Sequence, residues 1–291
     1  MIESDPNGSL WFHEKSDEFP GQAFSLEVEE VLFHQKSPYQ DVLVFKSKTY
    51  GRVMVLDGII NSTERDEFAY QEMISFLPLN SHKHPRHVLI VGGGDGGVAR
   101  ECAKHPLVET ITLVEIDQMV IDVSKQHLPE LAKGLTHPKV TVHVTDGLEF
   151  LKNNETKYDV IIADLNDPDG PAAELFTQKF YKYMKERLNE GGILCTQGEC
   201  FWVDLVFISR MMDFCRDLFP SLAYAYNSVP TYTTGNIGYI MCSAEEGKLF
   251  KDPIHKFTEE EADNMGLRFY DEHTHRAAFA LPRYVRKGLK L

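Results

Sequence analysis

Apolar and polar positions alternate along the first quarter of the chain, and this pattern becomes helical near residue 64. Between about Ser25 and Thr63, Val, Leu and Phe interleave with charged residues, and the alternation breaks at Ser-Pro-Tyr, Tyr-Gly and Asp-Gly. Period-two alternation with turn residues between the runs predicts antiparallel strands. The stretch ERDEFAYQEMISFLPL then has helical spacing, and LNSHKHPRH after it, which contains Pro85, indicates a boundary between two domains.

From residue 87 onward, short apolar runs alternate with helical segments. The pairs are HVLIV with VARECAKH, TITLVEI with MVIDVSKQHL, KVTVHV with GLEFLKNN, YDVIIAD with FTQKFYKYMKERL, and GGILCTQG with a helix from about Asp204 to Leu218. Alternation at these lengths predicts a parallel, doubly wound sheet. Two final runs, LAYAYNSVPTYT and IGYIMCS, are closely spaced and predict an antiparallel edge. We therefore expect an α/β fold with a β-strand domain over residues 1–78 and a second domain over residues 79–291.

Composition and charge narrow the class of protein. The formal net charge of −14 argues against binding to nucleic acid or to an anionic membrane, and it is compatible with a cationic substrate. No apolar run approaches the length that spans a bilayer, and the first residues are polar and acidic, unlike a signal peptide. The five cysteines form no C-x-x-C pair, which favours reduced thiols in a cytoplasmic protein.

A glycine loop, GGGDGG over residues 92–97, lies between the first predicted parallel strand and the next helix. Bare backbone and helix N–H groups at such a loop are typical of nucleotide binding. The spacing G-x-G-x-x-G is matched literally and would by itself suggest NAD. However, Asp95 stands where a pyrophosphate would lie, and its carboxylate would repel that anion. The loop therefore favours a nucleoside that carries positive charge, such as a sulfonium nucleoside.

Carboxylates follow four successive strands of the predicted sheet. Asp95 comes after the first strand, Glu115 ends the second, and Asp146 and Asp164 end the third and fourth. Ligands of open α/β sheets bind outside the carboxyl ends of the strands, so these four groups should surround one crevice. Any one of them could instead cap a helix N-terminus. Glu115 has the position of a ribose ligand, and Asp146 with Gly147 suits the edge of an adenine.

The fourth strand leads into an acidic loop, Asp164-Leu-Asn-Asp-Pro-Asp-Gly-Pro-Ala172. Its prolines and glycine are typical of a solvated turn. Asp164, Asp167 and Asp169 nevertheless add charge at the edge of the sheet where the other acids lie. We expect this loop to contact a ligand and to close over it.

Several long motifs together resemble the polyamine aminopropyltransferases, most closely the eukaryotic spermidine synthases. They are PGQAFSLEVEEVL, YQDVLVFKSKTYGRVMVLDG, ERDEFAYQEM, VGGGDGGVARE, DPDGPA, QGE and PTYTTGNIGYIMCS. The likeness runs from about Phe19 to ALPRYVRK near the C-terminus. It implies a methyltransferase-like Rossmann domain behind a small N-terminal antiparallel β-domain, and a homodimer. It also implies aminopropyl transfer from decarboxylated S-adenosylmethionine to putrescine, giving spermidine and methylthioadenosine without a cofactor or a metal.

The resemblance also assigns residues to roles. Asp164 matches the catalytic acid/base residue of the family, and Tyr70 would orient the attacking nitrogen. Tyr70 and Tyr232 would flank putrescine, with Asp167 near its amine. The residues that would hold the donor are Gln40, Gln71, Asp95, Glu115, Asp146 and Gly147. Asp95 then has a physical role, because a carboxylate can hold the propylammonium group of a decarboxylated donor.

Two departures from the family pattern leave alternatives open. Leu165 and Asn166 replace a usual pair of serines, and Phe19 stands where a tryptophan often precedes the PGQ segment. One alternative is an aminopropyltransferase with another amine acceptor, as in a spermine synthase. Others are an S-adenosylmethionine-dependent amine N-methyltransferase and a weakly active polyamine-binding paralogue. A histidine cluster at residues 82, 84 and 87 has no neighbouring acid or cysteine pattern, so we expect solvated histidines there rather than a metal site.

Overall fold

The computed structural model describes residues 2–16, 19–165 and 175–291, and its first sheet contains six antiparallel strands in chain order. They are β1 (Ile2–Ser4), β2 (Leu10–Glu14), β3 (Phe24–Lys36), β4 (Asp41–Ser47), β5 (Gly51–Leu56) and β6 (Ile59–Thr63). The last four agree with the alternating pattern. The first two were not predicted, because three and five residues are too few to establish a period of two.

The second sheet contains seven strands in the order β12-β13-β11-β10-β7-β8-β9. They are β7 (His87–Gly92), β8 (Thr110–Glu115), β9 (Val140–Val144), β10 (Tyr158–Asp164), β11 (Leu188–Gln197), β12 (Ser221–Ser228) and β13 (Asn236–Ser243). Strands β7 to β11 pair in parallel, whereas β13 pairs antiparallel with both β11 and β12. The doubly wound sheet and its antiparallel edge are thus confirmed.

Ten α-helices lie within the described ranges. They are α1 (Glu67–Ser81), α2 (Gly97–Lys104), α3 (Gln118–His127), α4 (Pro129–Ala132), α5 (Gly147–Asn153), α6 (Gln178–Glu186), α7 (Leu205–Leu218), α8 (Glu259–Met265), α9 (Glu272–Ala278) and α10 (Arg283–Gly288). None of these helices is long and apolar enough to cross a bilayer. Helix α1 joins the two sheets, and the expected domain boundary between residues 78 and 79 stays a prediction.

The order of the strands reverses between β7 and β10. The chain proceeds from β7 outward to β8 and β9, and then returns to place β10 on the other side of β7. Gly92, the last residue of β7, pairs with Asp164, the last residue of β10. Its φ is 85°, and a Cβ atom there would lie 1.9 Å from the carbonyl oxygen of Asp164. Only glycine therefore allows the two strand ends to approach so closely.

Apolar side chains fix the first sheet against the second domain. Val42, Val44 and Met54 of the first sheet share a buried cluster with Val120 and Val123 of helix α3. Two larger clusters of buried side chains hold the helices against the second sheet. The carboxyl ends of the parallel strands consequently face residues of the first sheet, and this arrangement encloses the cavity described next.

Candidate active site

A cavity of about 590 Å³ lies between the carboxyl ends of the parallel strands and the first sheet. Strands β7, β8 and β10 supply one wall, and Leu56, Ile60 and Asn61 of the first sheet lie on its lining as well. Among the described residues, eight carboxylate side chains line the cavity: Glu14, Asp57, Asp95, Glu115, Asp146, Asp164, Glu199 and Asp204. Lys15 is the only basic side chain among the described lining residues. This excess of negative charge favours cationic ligands.

Asp164 and Tyr70 form a buried pair at the centre of this site. The Tyr70 hydroxyl, on helix α1, donates a hydrogen bond of 2.5 Å to Oδ1 of Asp164 at the end of β10. Burial, with a further contribution from the charge of Asp95, raises the pKa of Asp164 to about 7. Burial raises the pKa of Tyr70 well above its usual value, so its hydroxyl remains a donor. A carboxyl with a pKa near neutrality can accept and release a proton during a reaction.

Asp95 lies in the glycine loop with hydrogen bonds to both of its carboxylate oxygens. The N–H group of Gly97 donates to Oδ1 at 2.8 Å, and Gln71 Nε2 of helix α1 donates to Oδ2 at 3.1 Å. Asp95 is only 5% exposed, and burial raises its pKa. Both of its described partners are neutral groups. Ionising this buried carboxylate therefore costs free energy, which a cationic ligand in the cavity would offset.

Glu115 is held by the backbone on both sides of it. The N–H of Gly94 donates to Oε2 at 3.1 Å, and the N–H of Asp117 donates to Oε1 at 2.8 Å. Burial raises the pKa of Glu115 to about 7. Gln40, from the turn after β3, donates through Nε2 to Asp117 at 2.9 Å. The first sheet is thereby fastened to the end of β8, where Gln40 and Glu115 both line the cavity.

Asp146 caps a helix and also lines the cavity. Its Oδ1 accepts a hydrogen bond of 2.8 Å from the N–H of Glu149, so it caps helix α5. Asp146 and the following Gly147 also line the cavity. Capping uses one carboxylate oxygen, which leaves the other available to a ligand.

Tyr232 lies opposite Tyr70 on the same cavity. It comes from the turn between β12 and β13, and the centroids of the two tyrosine rings are 5.6 Å apart with an angle of 58° between their planes. The Tyr232 hydroxyl donates to the carbonyl oxygen of Asn61 at 2.8 Å. The two rings thus form an apolar surface beside Asp164.

The structure brings nine of the ten predicted site residues to one cavity: Gln40, Tyr70, Gln71, Asp95, Glu115, Asp146, Gly147, Asp164 and Tyr232. The tenth, Asp167, lies outside the described residues, as do Asn166 and Asp169 of the same loop. Leu165 is described, and it lines the cavity as a buried side chain, as does Phe19. Leu165 and Phe19 therefore lie at the site itself.

Sequence reasoning gave no role to several residues that the structure brings to the site. Gln197 ends β11 and Glu199 follows it, and both side chains are buried against the cavity. Gln197 Oε1 has no hydrogen-bond partner among the described residues. Applying the strand-end rule to β11, or weighing the QGE motif, would have identified this pair. Tyr239, whose ring stacks 6.0 Å from Tyr70, gave no such signal, because it is one of many apolar positions in a strand.

The side chains of two histidines of the predicted linker have partners within the protein. His82 accepts a hydrogen bond from the N–H of His84, and His87 Nδ1 lies 2.9 Å from the hydroxyl of Thr110. His82 is only 8% exposed, so the expectation of a solvated side chain is wrong for this residue. Across the described ranges, no group of three or more His, Cys, Asp and Glu side chains could hold a metal ion.

Comparison with known proteins finds two matching families and many relatives. Residues 67–252 match the spermine/spermidine synthase domain, and residues 10–64 match the spermidine synthase tetramerisation domain. The chain is 51% identical to a spermidine synthase of Dictyostelium discoideum over 97% of this chain and 98% of that protein. It is 48% identical to a spermidine synthase of Schizosaccharomyces pombe, over 95% of this chain and 92% of the other. It is also 50% identical to a spermine synthase of Arabidopsis thaliana, with 92% and 76% covered.

Solved structures give the same result. A crystal structure of a spermidine synthase with the transition-state analogue AdoDATO has a TM-score of 0.89 at 31% identity, covering 100% of this chain and 97% of that one. The spermidine synthase of Thermotoga maritima has a TM-score of 0.88 at 31% identity, covering 99% and 97%. Likeness therefore extends over both sheets and the cavity between them.

Proposed function

The chain belongs to the spermine/spermidine synthase family and is an aminopropyltransferase, and we propose that it transfers an aminopropyl group from decarboxylated S-adenosylmethionine to putrescine. The products are spermidine and methylthioadenosine. One observation carries this proposal. The hydrogen-bonded pair Asp164 and Tyr70 is buried in a cavity that eight carboxylates line, which suits a reaction between two cationic substrates.

The chemical difficulty of this reaction is the proton on the acceptor amine. An aliphatic amine has a pKa near 10, so its deprotonation at pH 7 costs about 4 kcal/mol. We assign Asp164 as the base that takes this proton, because its pKa of about 7 is near neutrality. Tyr70, whose hydroxyl donates to Asp164, orients that carboxylate and the nitrogen beside it.

Transfer then follows as a single displacement. The lone pair of the amine nitrogen forms a bond to the CH₂ carbon next to the sulfonium sulfur. The bond between that carbon and sulfur breaks, and its electron pair returns to sulfur to give the neutral thioether methylthioadenosine. The proton lost by the nitrogen goes to Asp164. Holding both reactants in one enclosed cavity contributes most to the rate in this proposal.

The donor-binding roles are assigned by the order of the strands. Glu115 at the end of β8 suits the ribose diol, and Asp146 with Gly147 suits the adenine edge. Asp95, supported by Gln71, suits the propylammonium group. Gln40 completes this half of the cavity from the first sheet. Tyr232 and Asp167 are proposed to bind putrescine at the other half.

We also propose that the protein is a cytoplasmic homo-oligomer that uses the donor as a co-substrate and needs no cofactor. The match of residues 10–64 to a tetramerisation domain supports assembly through the first sheet, and a homodimer stays a prediction. Five free cysteines, all of them buried, support a reducing compartment.

Product analysis tests the proposed reaction. The purified protein is incubated with decarboxylated S-adenosylmethionine and putrescine, with the same donor and spermidine, and with S-adenosylmethionine and putrescine. Mass spectrometry should detect spermidine and methylthioadenosine in the first mixture at a rate at least about tenfold above the other two. The similarity to an Arabidopsis spermine synthase makes spermidine the competing acceptor. Faster turnover with spermidine would show that spermidine, and not putrescine, is the preferred acceptor. Absence of methylthioadenosine from all three mixtures would refute the proposal.

A further inference from the structure

A buried aspartate outside the predicted site, Asp66, connects the two tyrosines of the acceptor half. It immediately precedes helix α1, which carries Tyr70 four residues later, and it is 5% exposed. Its Oδ2 accepts hydrogen bonds from both the backbone N–H and the hydroxyl of Thr231, at 3.0 and 2.8 Å. Its Oδ1 accepts a bond of 2.6 Å from the hydroxyl of Thr63. These three donors are neutral groups, so hydrogen bonds rather than an ion pair stabilise the carboxylate.

Thr231 directly precedes Tyr232 in the turn between β12 and β13. The turn closes through its own backbone, since Tyr232 N–H donates to Val229 and Gly235 N–H donates to Tyr232. These bonds fix the shape of the turn but not its distance from helix α1. The two bonds from Thr231 to Asp66 join the turn to the start of that helix. Because Thr231 is fully buried, no water competes for them.

The same helix start therefore contributes to the positions of both rings. Tyr70 follows Asp66 by about one helical turn, and Tyr232 follows Thr231 by one residue, so each ring is close in sequence to one end of the contact. Charge-assisted hydrogen bonds are among the strongest that a neutral donor can make. The bond from Tyr232 to Asn61 fixes the far end of the ring. Loss of the Asp66 contact would release the near end.

We propose that Asp66 is a positioning residue that holds Tyr232 opposite Tyr70 and thereby sets the affinity for the amine acceptor. The effect on acceptor affinity rests on the proposed function, whereas the contact between Asp66 and Thr231 does not. Asp66 acts through Tyr232, on the acceptor half of the cavity. The donor half, with Asp95 and Glu115, should be unaffected.

The test compares Asp66→Asn with a matched control, Asp159→Asn. Asp159 is a similarly buried aspartate that accepts two backbone N–H bonds and an amide bond, but it lies at the start of β10, at the other end of that strand from Asp164. Asp66→Asn should raise KM for putrescine by about tenfold and change KM for the donor less than twofold. The control should change neither KM value. Thr231→Val, which removes the hydroxyl bond but keeps the backbone bond, should raise KM for putrescine by about threefold.

A double substitution separates positioning from a general structural effect. If Asp66 acts through Tyr232, Asp66→Asn should no longer change KM for putrescine in a Tyr232→Ala background. An equal rise in both backgrounds would overturn the proposal. So would equal changes in KM for both substrates, or no change in the Tyr232-containing protein.

Hydrogen exchange tests the contact without requiring activity. Asp66→Asn should accelerate amide exchange in residues 229–235 by about tenfold, whereas Asp159→Asn should leave this segment unchanged. If the unsubstituted protein released no methylthioadenosine, the proposed function would fail while this measurement still decided whether Asp66 holds the turn. Unchanged exchange in that segment would overturn the proposal, whatever the kinetics.

Discussion

Asp95 and Asp164 are both buried carboxylates at the edge of the second sheet, but their partners differ. Asp164 accepts from a phenol, whereas Asp95 accepts from a backbone N–H and a side-chain amide. A phenol beside a carboxyl with a pKa of about 7 suits proton transfer. Neutral amide donors fix the geometry of Asp95 and leave its charge for a ligand. These two environments are the residue-scale basis for the separate acceptor and donor roles that we propose.

Substituting Asp95→Asn should weaken binding of the donor selectively. The new amide can keep the bond from Gly97, and Gln71 Oε1, which has no described partner, can accept from it. The fold should therefore remain intact while the charge is lost. Isothermal titration should give a Kd for decarboxylated S-adenosylmethionine that is about 10- to 100-fold higher. Methylthioadenosine lacks the propylammonium group, so its Kd should change less than about threefold. Equal losses for both ligands would contradict the assigned role.

The acids at the strand ends could be predicted as site residues, because the topology brings the carboxyl ends of parallel strands to one edge of the sheet. Asp95, Glu115, Asp146 and Asp164 each end or follow a strand whose apolar run is easy to recognise. The same rule extends to Glu199, two residues beyond β11, but no local pattern predicts its φ of 53°. Contacts between distant segments, such as that of Asp66 with Thr231, depend on packing and cannot be read from spacing.

At the scale of elements, the start of helix α2 is packed by a turn that the sequence did not predict. A single 3-10 turn, Lys133–Thr136, contacts the glycine loop and the first turn of this helix. A Cβ atom on Gly134 would lie 2.0 Å from the carbonyl oxygen of Gly96 and 2.5 Å from the backbone nitrogen of Arg100. Both contacts are with backbone, which cannot move aside independently of the glycine loop.

Gly134→Ala should consequently displace this turn and disturb the loop. Overpacking of this kind costs about 1–3 kcal/mol, and we expect Tm to fall by about 3–8 °C. Binding of methylthioadenosine should weaken in parallel. Lys133→Ala, in the same turn but on an exposed side chain, is the control and should change Tm by less than about 1 °C. Differential scanning calorimetry measures both variants, and equal Tm values for them would contradict this account of the packing.

Elements with a sustained period were predicted, whereas short elements were not. Strands β7, β8 and β10 are apolar runs of six or seven residues between recognisable turns. Strand β1 has three residues, and helices α8 and α9 have seven each. Both helices begin with capping boxes, and the segment between them is held by Glu72 of helix α1, which accepts hydrogen bonds from the backbone of residues 268–270. Their existence depends on tertiary contacts more than on local pattern.

At the scale of the whole molecule, the cavity between the two sheets contains buried carboxyl groups that affect the stability of the fold. Asp164 and Glu115 have pKa values raised to about 7, so the unliganded fold disfavours their ionised forms. The unfolded chain loses these protons near pH 4, whereas the folded protein retains them until about pH 7. Their contribution to the free energy of unfolding therefore falls as pH rises from about 4 to 7.

Asp164→Asn should be more stable than the unsubstituted protein at high pH only. At pH 5 Asp164 is protonated and close to an amide in its properties, so the Tm values should agree within about 2 °C. At pH 8 the variant lacks the buried charge, and its Tm should be higher by about 4–8 °C. His105 and His275, whose pKa values burial lowers to about 3 and about 4, affect both proteins equally and cancel in the difference. A difference that is independent of pH would contradict the raised pKa of Asp164.

The central claim is that Asp164 removes the proton from the acceptor amine, and the pH dependence of kcat/KM for putrescine tests it most directly. With the donor well below saturation, kcat/KM for putrescine of the unsubstituted protein should rise with pH through an apparent pKa near 7, because this ratio then reports the free enzyme. Asp164→Asn should lose about 10²- to 10⁴-fold at pH 8 and should show no such inflection. A variant that keeps its rate within about threefold and retains the inflection would contradict the account.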